Sequence, residues 1–316
     1  MAGLPQGTAA SVGALLEGVE DWLRTVRREP VSVVELTFAG TCPAEHRRYP
    51  GLELNGALWE GLKRTATHSG TDGLQSLAVE ALATHDRAIS DGRHRRTLVL
   101  RIADGDSTEG LLRLRVYLIL HSLLAHTWPA WVEAAGSLRL RGLVDLHRED
   151  AVVYTSAGPR EADDLSPEDR AAAVLTLSEF CGPAPDCDSL RCDFVTPTVL
   201  ESQGRLQTWF PSLDPLVVSA LSGLSSTVGR LPAREVHGAL RTWAADCAAV
   251  DGDTEVVTAF HWAGRSKGAV RGVVGWESFA QVPDLLREVL WLAQLTHLGQ
   301  HSAYGLGWFG LAAAEE

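Results

Sequence analysis

Lysine is nearly missing from this chain: Lys63 and Lys267 are the only two among 316 residues. Counting arginine, 28 basic residues stand against 40 Asp and Glu, for a formal net charge of −12. A uniformly acidic surface repels phosphate, so any nucleic-acid site on such a chain has to be local. Cysteine is scarce and odd in number, at Cys42, Cys181, Cys187, Cys192 and Cys247, which is not the pattern of a disulfide framework. No run of eighteen uncharged apolar residues occurs, and no basic start leads into an apolar stretch. The expectation is therefore a soluble, cytoplasmic protein with no membrane partner. Walker loop, dinucleotide fingerprint and HExxH motif are all lacking, which removes the commonest nucleotide-binding and metalloprotease readings.

What is present is ordinary in bulk and uneven in distribution. The apolar content of 45% and charged content of 22% suit a globular protein, and the length leaves room for two domains, each with its own core. Arginines gather at Arg24, Arg27 and Arg28, at Arg47 and Arg48, beside Lys63 at Arg64, from Arg93 to Arg96, at Arg139 and Arg141, and around Lys267 at Arg265 and Arg271. Acidic residues crowd instead at Glu161 to Asp169 and at Asp246 to Glu255. Each basic cluster reads singly as a solvated face; their number keeps a nucleic-acid groove open.

Periodicity sets the order of elements. Ser11 to Arg28 carries a helical apolar stripe, Val31 to Ala39 alternates as a strand, and Leu52 to His68 is helical again. A weaker helix at Leu74 to Ala88, strands at Thr97 to Ala103 and Gly110 to Leu120, and a helix at His121 to Ala135 follow. A strand, a charged loop and a helix are how a ferredoxin-like domain begins. Residues 150–188 are acidic and rich in Pro and Ser, with one short helix near Ala171 to Phe180, and read as a linker. Beyond it come a strand (Leu190 to Leu200), two helices (Pro215 to Val228, Glu235 to Ala249), two strands (Thr254 to Ala263, Ala269 to Glu277) and a helix (Val282 to Thr296). A glycine loop and a last strand close the chain. The expectation is α+β: two tandem ferredoxin-like (RRM-like) domains with a C-terminal glycine-rich loop. Residues 1–30 form an extension with an accessory helix, 31–150 the first domain, 151–187 the linker and 188–312 the second domain.

The most informative stretch runs from Leu292 to Gly310. An apolar helix ends at Gly299, a small polar loop follows, and Gly305-Leu-Gly307 leads into Trp308-Phe309. Glycines leave backbone amides open to a phosphate or a sugar edge. This run resembles the C-terminal glycine-rich loop of the CRISPR-associated repeat-processing endoribonucleases of the RAMP superfamily. Leu190 to Leu200, with Thr196-Pro-Thr198, resembles the strand that opens that family's C-terminal domain. Val270 to Trp276 resembles the strand before its last helix. The resemblance covers about the last 125 residues in order and spacing.

That resemblance implies binding of CRISPR repeat RNA and its cleavage by attack of the 2′-hydroxyl on the adjacent phosphate. The products are a cyclic phosphate and a 5′-hydroxyl, no cofactor or metal is implied, and no DNA partner. The chemistry needs a general base, a general acid and positive charge near the phosphate. By topology, His46 and His68 match the position of the family's catalytic histidine, and His301 lies in the loop itself, where a lysine is common in the family. The residues implied to hold RNA are Arg47, Arg48, Lys63, Arg64, Arg265, Lys267, His297, Gly299, Ser302, Tyr304, Gly305 and Gly307. For His297 a helix-terminus histidine bonding a free carbonyl stands as an equal reading. Trp308 is the tryptophan to test for base stacking, whereas Trp22, Trp59, Trp243 and Trp291 lie on core-facing helical stripes. Cys181, Cys187 and Cys192 leave a zinc reading open, without the ribbon spacing. Two rival functions remain: a non-catalytic guide-RNA-binding subunit of a CRISPR effector complex, with other effector subunits as partners, and an acidic protein-interaction module.

Overall fold

The computed structural model describes residues 9–41, 51–68, 73–90, 98–104, 111–138, 144–166, 168–202, 205–263, 266–300 and 305–314. The first half runs α1 (Ala9–Arg27), β1 (Pro30–Thr41), α2 (Gly51–His68), α3 (Leu74–Ser90), β2 (Leu98–Asp104), β3 (Leu111–His121), α4 (Trp128–Gly136), β4 (Val144–Thr155), β5 (Gly158–Glu161), β6 (Leu175–Thr176) and α5 (Leu177–Cys181). The second half runs β7 (Leu190–Thr198), a hairpin of β8 (Glu201–Ser202) and β9 (Arg205–Leu206), α6 (Asp214–Val228), α7 (Arg234–Asp246), β10 (Ala249–Ala263), β11 (Ser266–Phe279), α8 (Asp284–Ala293) and β12 (Phe309–Ala313).

Both halves are antiparallel sheets built to one plan. The first orders its strands β2-β3-β1-β4-β5 with β6 also on β1, and the second orders them β10-β11-β7-β12. Setting β5, β6 and the β8–β9 hairpin aside, each half places its second, third, first and fourth strands side by side in that order. This is the βαββαβ ferredoxin-like arrangement, used twice. Alternation along β1 explains how the first sheet is covered. Val34, Leu36 and Phe38 point into a core with Leu54, Leu58 and Leu62 of α2 and Trp131 of α4. Val31 and Val33 point the other way, into the core of the second half, together with Val99 of β2 and Ile119 of β3. The halves are thus joined through an apolar part of the first sheet's second face. The N-terminal helix belongs to this joint: Val19, Trp22, Leu23 and Val26 are buried in the second core, and Arg27 bridges Glu20 and Glu288 of α8, each at 2.5 Å.

Two expectations need correction. The segment read as an acidic linker is largely folded onto the first sheet: β4 continues through Thr155 beside β1, β5 pairs with β4, and β6 pairs with β1. Its polar sequence hides this because the exposed β5 has one wet side and little to bury. Thr176 then opens α5 with a reciprocal cap, taking a hydrogen bond from Glu179 N while Glu179 accepts from Thr176 N, a four-residue signature readable in Thr-Leu-Ser-Glu. The helix expected from His121 is instead a 3-10 segment, Ser122–Thr127, leading into α4; Pro129 at the helix start fits the later boundary.

The tryptophans on helical stripes pack as expected: Trp22 and Trp243 are buried, and Trp59 sits edge-on to Trp131 with centroids 4.7 Å apart. The zinc reading fails on placement, because Cys192 is sealed in the core and among the described residues no three potential ligands come together. No helix among the described residues is long and apolar enough to cross a membrane.

One buried acid gives the fold a pH dependence. Glu277 of β11 is fully buried, accepts a hydrogen bond from Phe210 N at 3.1 Å, and is pushed up to about 7 by desolvation. A carboxyl raised on folding contributes stability that is fully present below its unfolded pKa and is lost as pH rises through 7. His121 acts oppositely, since burial holds it down at about 4, so its neutral form costs stability as pH falls below its unfolded value. The two slopes oppose each other between roughly pH 4.5 and 6.5. Urea unfolding of wild type is therefore expected to change little across that window. Glu277→Gln should gain stability with rising pH there, by about 2 kcal/mol in all; parallel wild-type and variant curves would contradict this.

Candidate nucleic-acid interface

The glycine loop begins where α8 tightens into its last turn, with Thr296 N donating to Ala293 O at 2.9 Å. His297 follows in the left-handed region at φ 60°, and Gly299, Gly305 and Gly307 share that region at 75°, 81° and 75°. His297 is fully buried, and its Nδ1 lies 3.1 Å from Leu306 O; the ring stitches the start of the loop to its end. Leu298 N donates to Gly307 O at 2.8 Å and Gly307 N donates to Pro197 O at 3.1 Å. Gly299 N donates to Ser219 Oγ at 2.6 Å, and Gln300 N to Val199 O at 3.1 Å.

The Thr-Pro-Thr segment at the end of β7 is the anvil on which the loop is fixed. Thr196 Oγ1 donates to Gly305 O at 3.0 Å and accepts from Trp308 N at 2.8 Å. Close approach to this anvil is what demands glycine. A Cβ on Gly307 would stand 1.7 Å from Leu298 O, and one on Gly299 would stand 2.3 Å from Val199 O.

This geometry corrects part of the sequence reading. The amides of Gly299 and Gly307 are spent on Ser219 and Pro197, so these glycines shape the loop rather than offer donors to a phosphate. His297 meets a carbonyl, but that of Leu306 in the loop and not one at the end of α8. The part of the loop between them holds His301, Ser302 and Tyr304, which lie outside the described residues, as do His46, Arg47, Arg48 and Arg265. His68 is the last residue of α2, and Lys267 sits on β11 opposite Trp262; the side chains of both lie outside the description. Lys63 is exposed and pairs with Glu60 at 2.7 Å, while Arg64 donates to Ser137 O at 3.0 Å. Lys63 and Arg64 thus lie in the C-terminal part of α2, with Arg64 reaching the residue that follows α4.

What meets the loop's base is the first sheet. Cross-strand register places Arg101, Tyr117 and Glu35 in one row and Arg115 and Thr37 in the next. Arg101 of β2 donates from Nη2 to Gln294 O at 3.0 Å and its guanidinium lies 4.6 Å from the Trp308 ring centroid. His121 Nε2 lies 3.1 Å from Leu295 O. Both side chains thus meet the carbonyls left open at the end of α8, where a cation is also favoured by the helix dipole. Burial pulls Arg101 down to about 10, still protonated at neutral pH. Further out on the same face, Arg113 and Arg115 are exposed, paired with Glu149 at 2.9 Å and Glu35 at 3.1 Å. Tyr154 donates to Glu35 at 3.0 Å, and burial raises its phenol to about 12.

Sequence reading missed this stripe. Arg113, Arg115 and Tyr117 are two residues apart on a strand, a signal of a shared face that grouping charges by sequence adjacency does not reveal. Trp308, proposed for base stacking, already has Arg101 against its ring. Arg101→Ala is expected to lower unfolding stability by about 2 kcal/mol and to shift Trp308 emission, with Arg101→Lys recovering only part. Unchanged urea midpoints would show that the contact joins nothing.

The family model for CRISPR-associated endoribonuclease Cas6 matches residues 192–309. Among solved structures, a Cas6 product complex is 19% identical with a TM-score of 0.57, covering 90% of this chain and 100% of that one. A Cas6 of Thermus thermophilus is 18% identical with a TM-score of 0.52, covering 90% and 99%. A partial Cas6-RT-Cas1–Cas2 complex is 13% identical with a TM-score of 0.55, covering 90% of this chain and 46% of that one. No curated protein sequence matches the chain significantly. At these identities the solved structures establish the fold: an α+β chain of two tandem ferredoxin-like domains. The family match goes further for the second domain, which is similar in sequence to the CRISPR-associated endoribonuclease Cas6.

Proposed function

We propose that this chain binds CRISPR repeat RNA and cuts the precursor transcript without a metal. The observation that carries this reading is the glycine loop held rigid on Thr196-Pro-Thr198, with the arginine-bearing face of the first sheet meeting its base through Arg101. In this reading the RNA backbone lies along Arg113 and Arg115, and Arg47, Arg48, Arg265, Lys267, Ser302 and Tyr304 are proposed as further RNA-binding residues. Displacing Glu149 from the exposed Arg113 would release a cation for a phosphate at small cost, whereas Glu35, 17% exposed and bonded by Tyr154, is the costlier partner to separate from Arg115.

Cleavage needs one proton taken and one given. A histidine accepts the 2′-hydroxyl proton, the 2′-oxygen forms a bond to phosphorus, the bond from phosphorus to the 5′-oxygen breaks, and a second group protonates that leaving oxygen. His46 and His68 are proposed for these roles, with His301 in the loop as the third candidate; an imidazole suits both because its ordinary pKa lies near neutrality. Other CRISPR proteins are proposed partners, in line with the Cas6-containing assembly among the similar structures.

Two assays test the reading. Repeat RNA should shift in an electrophoretic assay, with affinity falling steeply as salt rises, as phosphate contacts require. Cleavage should proceed in EDTA at the rate seen with magnesium. Salt-insensitive or undetectable binding would leave the chain a protein-interaction module. Cleavage lost to EDTA and restored by a divalent ion would reject the mechanism.

A further inference from the structure

The acidic run at Asp246 to Glu255 has no role in the function proposed above, and the structure gives it a neighbour. Trp209 is 60% exposed and Val250 61%. Trp209 does not sit on a loose loop. Its segment runs antiparallel to the start of β10: Leu213 N donates to Cys247 O at 3.0 Å, Ala249 N to Pro211 O at 3.1 Å, and Thr254 Oγ1 to Thr208 O at 3.3 Å. The next residue, Phe210, is fully buried against Phe194 with centroids 5.4 Å apart, and its amide is held by Glu277. The indole is therefore presented to solvent from a backbone fixed on both sides.

Asp246 at the end of α7 and Asp251, Asp253 and Glu255 on β10 are exposed, and among the described residues none of them forms an ion pair. β10 is one edge of the second sheet and β12, which follows the glycine loop, is the other. The acidic patch thus lies on the strand of that sheet farthest from β12.

We propose that Trp209 and Val250, with the carboxylates around them, form a docking surface for an extended, lysine- and arginine-bearing segment of a partner protein. A preorganised tryptophan loses little conformational entropy on binding and is the residue type that dominates interface energies. A ring of carboxylates selects a cationic partner and rejects nucleic acid.

The test uses the full chain and two labelled synthetic peptides, Lys-Val-Lys-Ile-Lys-Val-Lys and its counterpart with glutamate in place of lysine, read by fluorescence anisotropy. The basic peptide should bind and the acidic one should not. Trp209→Ala should weaken binding at least about tenfold, and the pair Asp253→Asn with Glu255→Gln should weaken it and flatten its salt dependence. Repeat RNA should not displace the peptide, and both variants should bind repeat RNA as wild type does. Peptide binding unaffected by either variant, or displaced by repeat RNA, would overturn the proposal. Failure of the chain to cleave RNA would leave it standing, since no step of it passes through the RNA site.

Discussion

Gly307→Ala is expected to abolish repeat binding and to destabilise the chain by about 3 kcal/mol or more, although alanine adds one methyl group. The added carbon would fall 1.7 Å from Leu298 O, a backbone atom that cannot rotate away. The residue also sits at φ 75°, where an L side chain is strained. Backbone strain and overpacking each cost about 1–3 kcal/mol. The hydrogen bonds most exposed to the disruption are those from Leu298 N to Gly307 O and from Gly307 N to Pro197 O, which close the base of the loop. Urea unfolding and a gel shift on the same preparation check the prediction. Gly310→Ala is the control, since nothing stands within 4 Å of a Cβ there. A Gly307→Ala chain that unfolds at the wild-type midpoint and still binds RNA would mean the loop is not held as described.

His68→Ala or His46→Ala should lower the cleavage rate by about a hundredfold or more while leaving repeat binding close to wild type, as removal of a general acid or base does. This separates chemistry from affinity, which Gly307→Ala does not. Single-turnover rates on saturating enzyme make the comparison clean. If both histidine variants cut at the wild-type rate, the acid–base role moves to His301 or Tyr304. If neither these nor wild type cuts while all bind, the chain is a guide-RNA-binding subunit.

The second half was readable because its constraints are strong ones. The alternating residues of β7, the apolar face of α8 and the spacing of Gly299, Gly305 and Gly307 each allow few structures. The roles inside that loop were less readable. A glycine offering an amide to a ligand and a glycine admitting a neighbouring carbonyl leave the same letter in the sequence, and only the distances from Gly299 to Val199 and from Gly307 to Leu298 tell them apart. His297 was ambiguous in the same way, because nothing local in the sequence points to Leu306 O, the carbonyl beside its Nδ1. In the first half, β5 and β6 escaped notice because Gly158 to Glu161 is polar and Leu175-Thr176 is too short to show a period. Arg101 escaped notice for another reason. Its importance comes from Gln294 and Trp308, about two hundred positions away, and nothing local in Leu98–Asp104 announces them.

The most direct measurement is the end-group chemistry of cut repeat RNA. Purified chain is incubated with a repeat transcript in EDTA and the fragments are weighed by mass spectrometry. The account predicts a 2′,3′-cyclic phosphate on the upstream fragment and a 5′-hydroxyl on the downstream one, with no cut where the attacking 2′-hydroxyl is replaced by hydrogen. A 3′-hydroxyl with a 5′-phosphate, or cutting that survives loss of the 2′-hydroxyl, would contradict it.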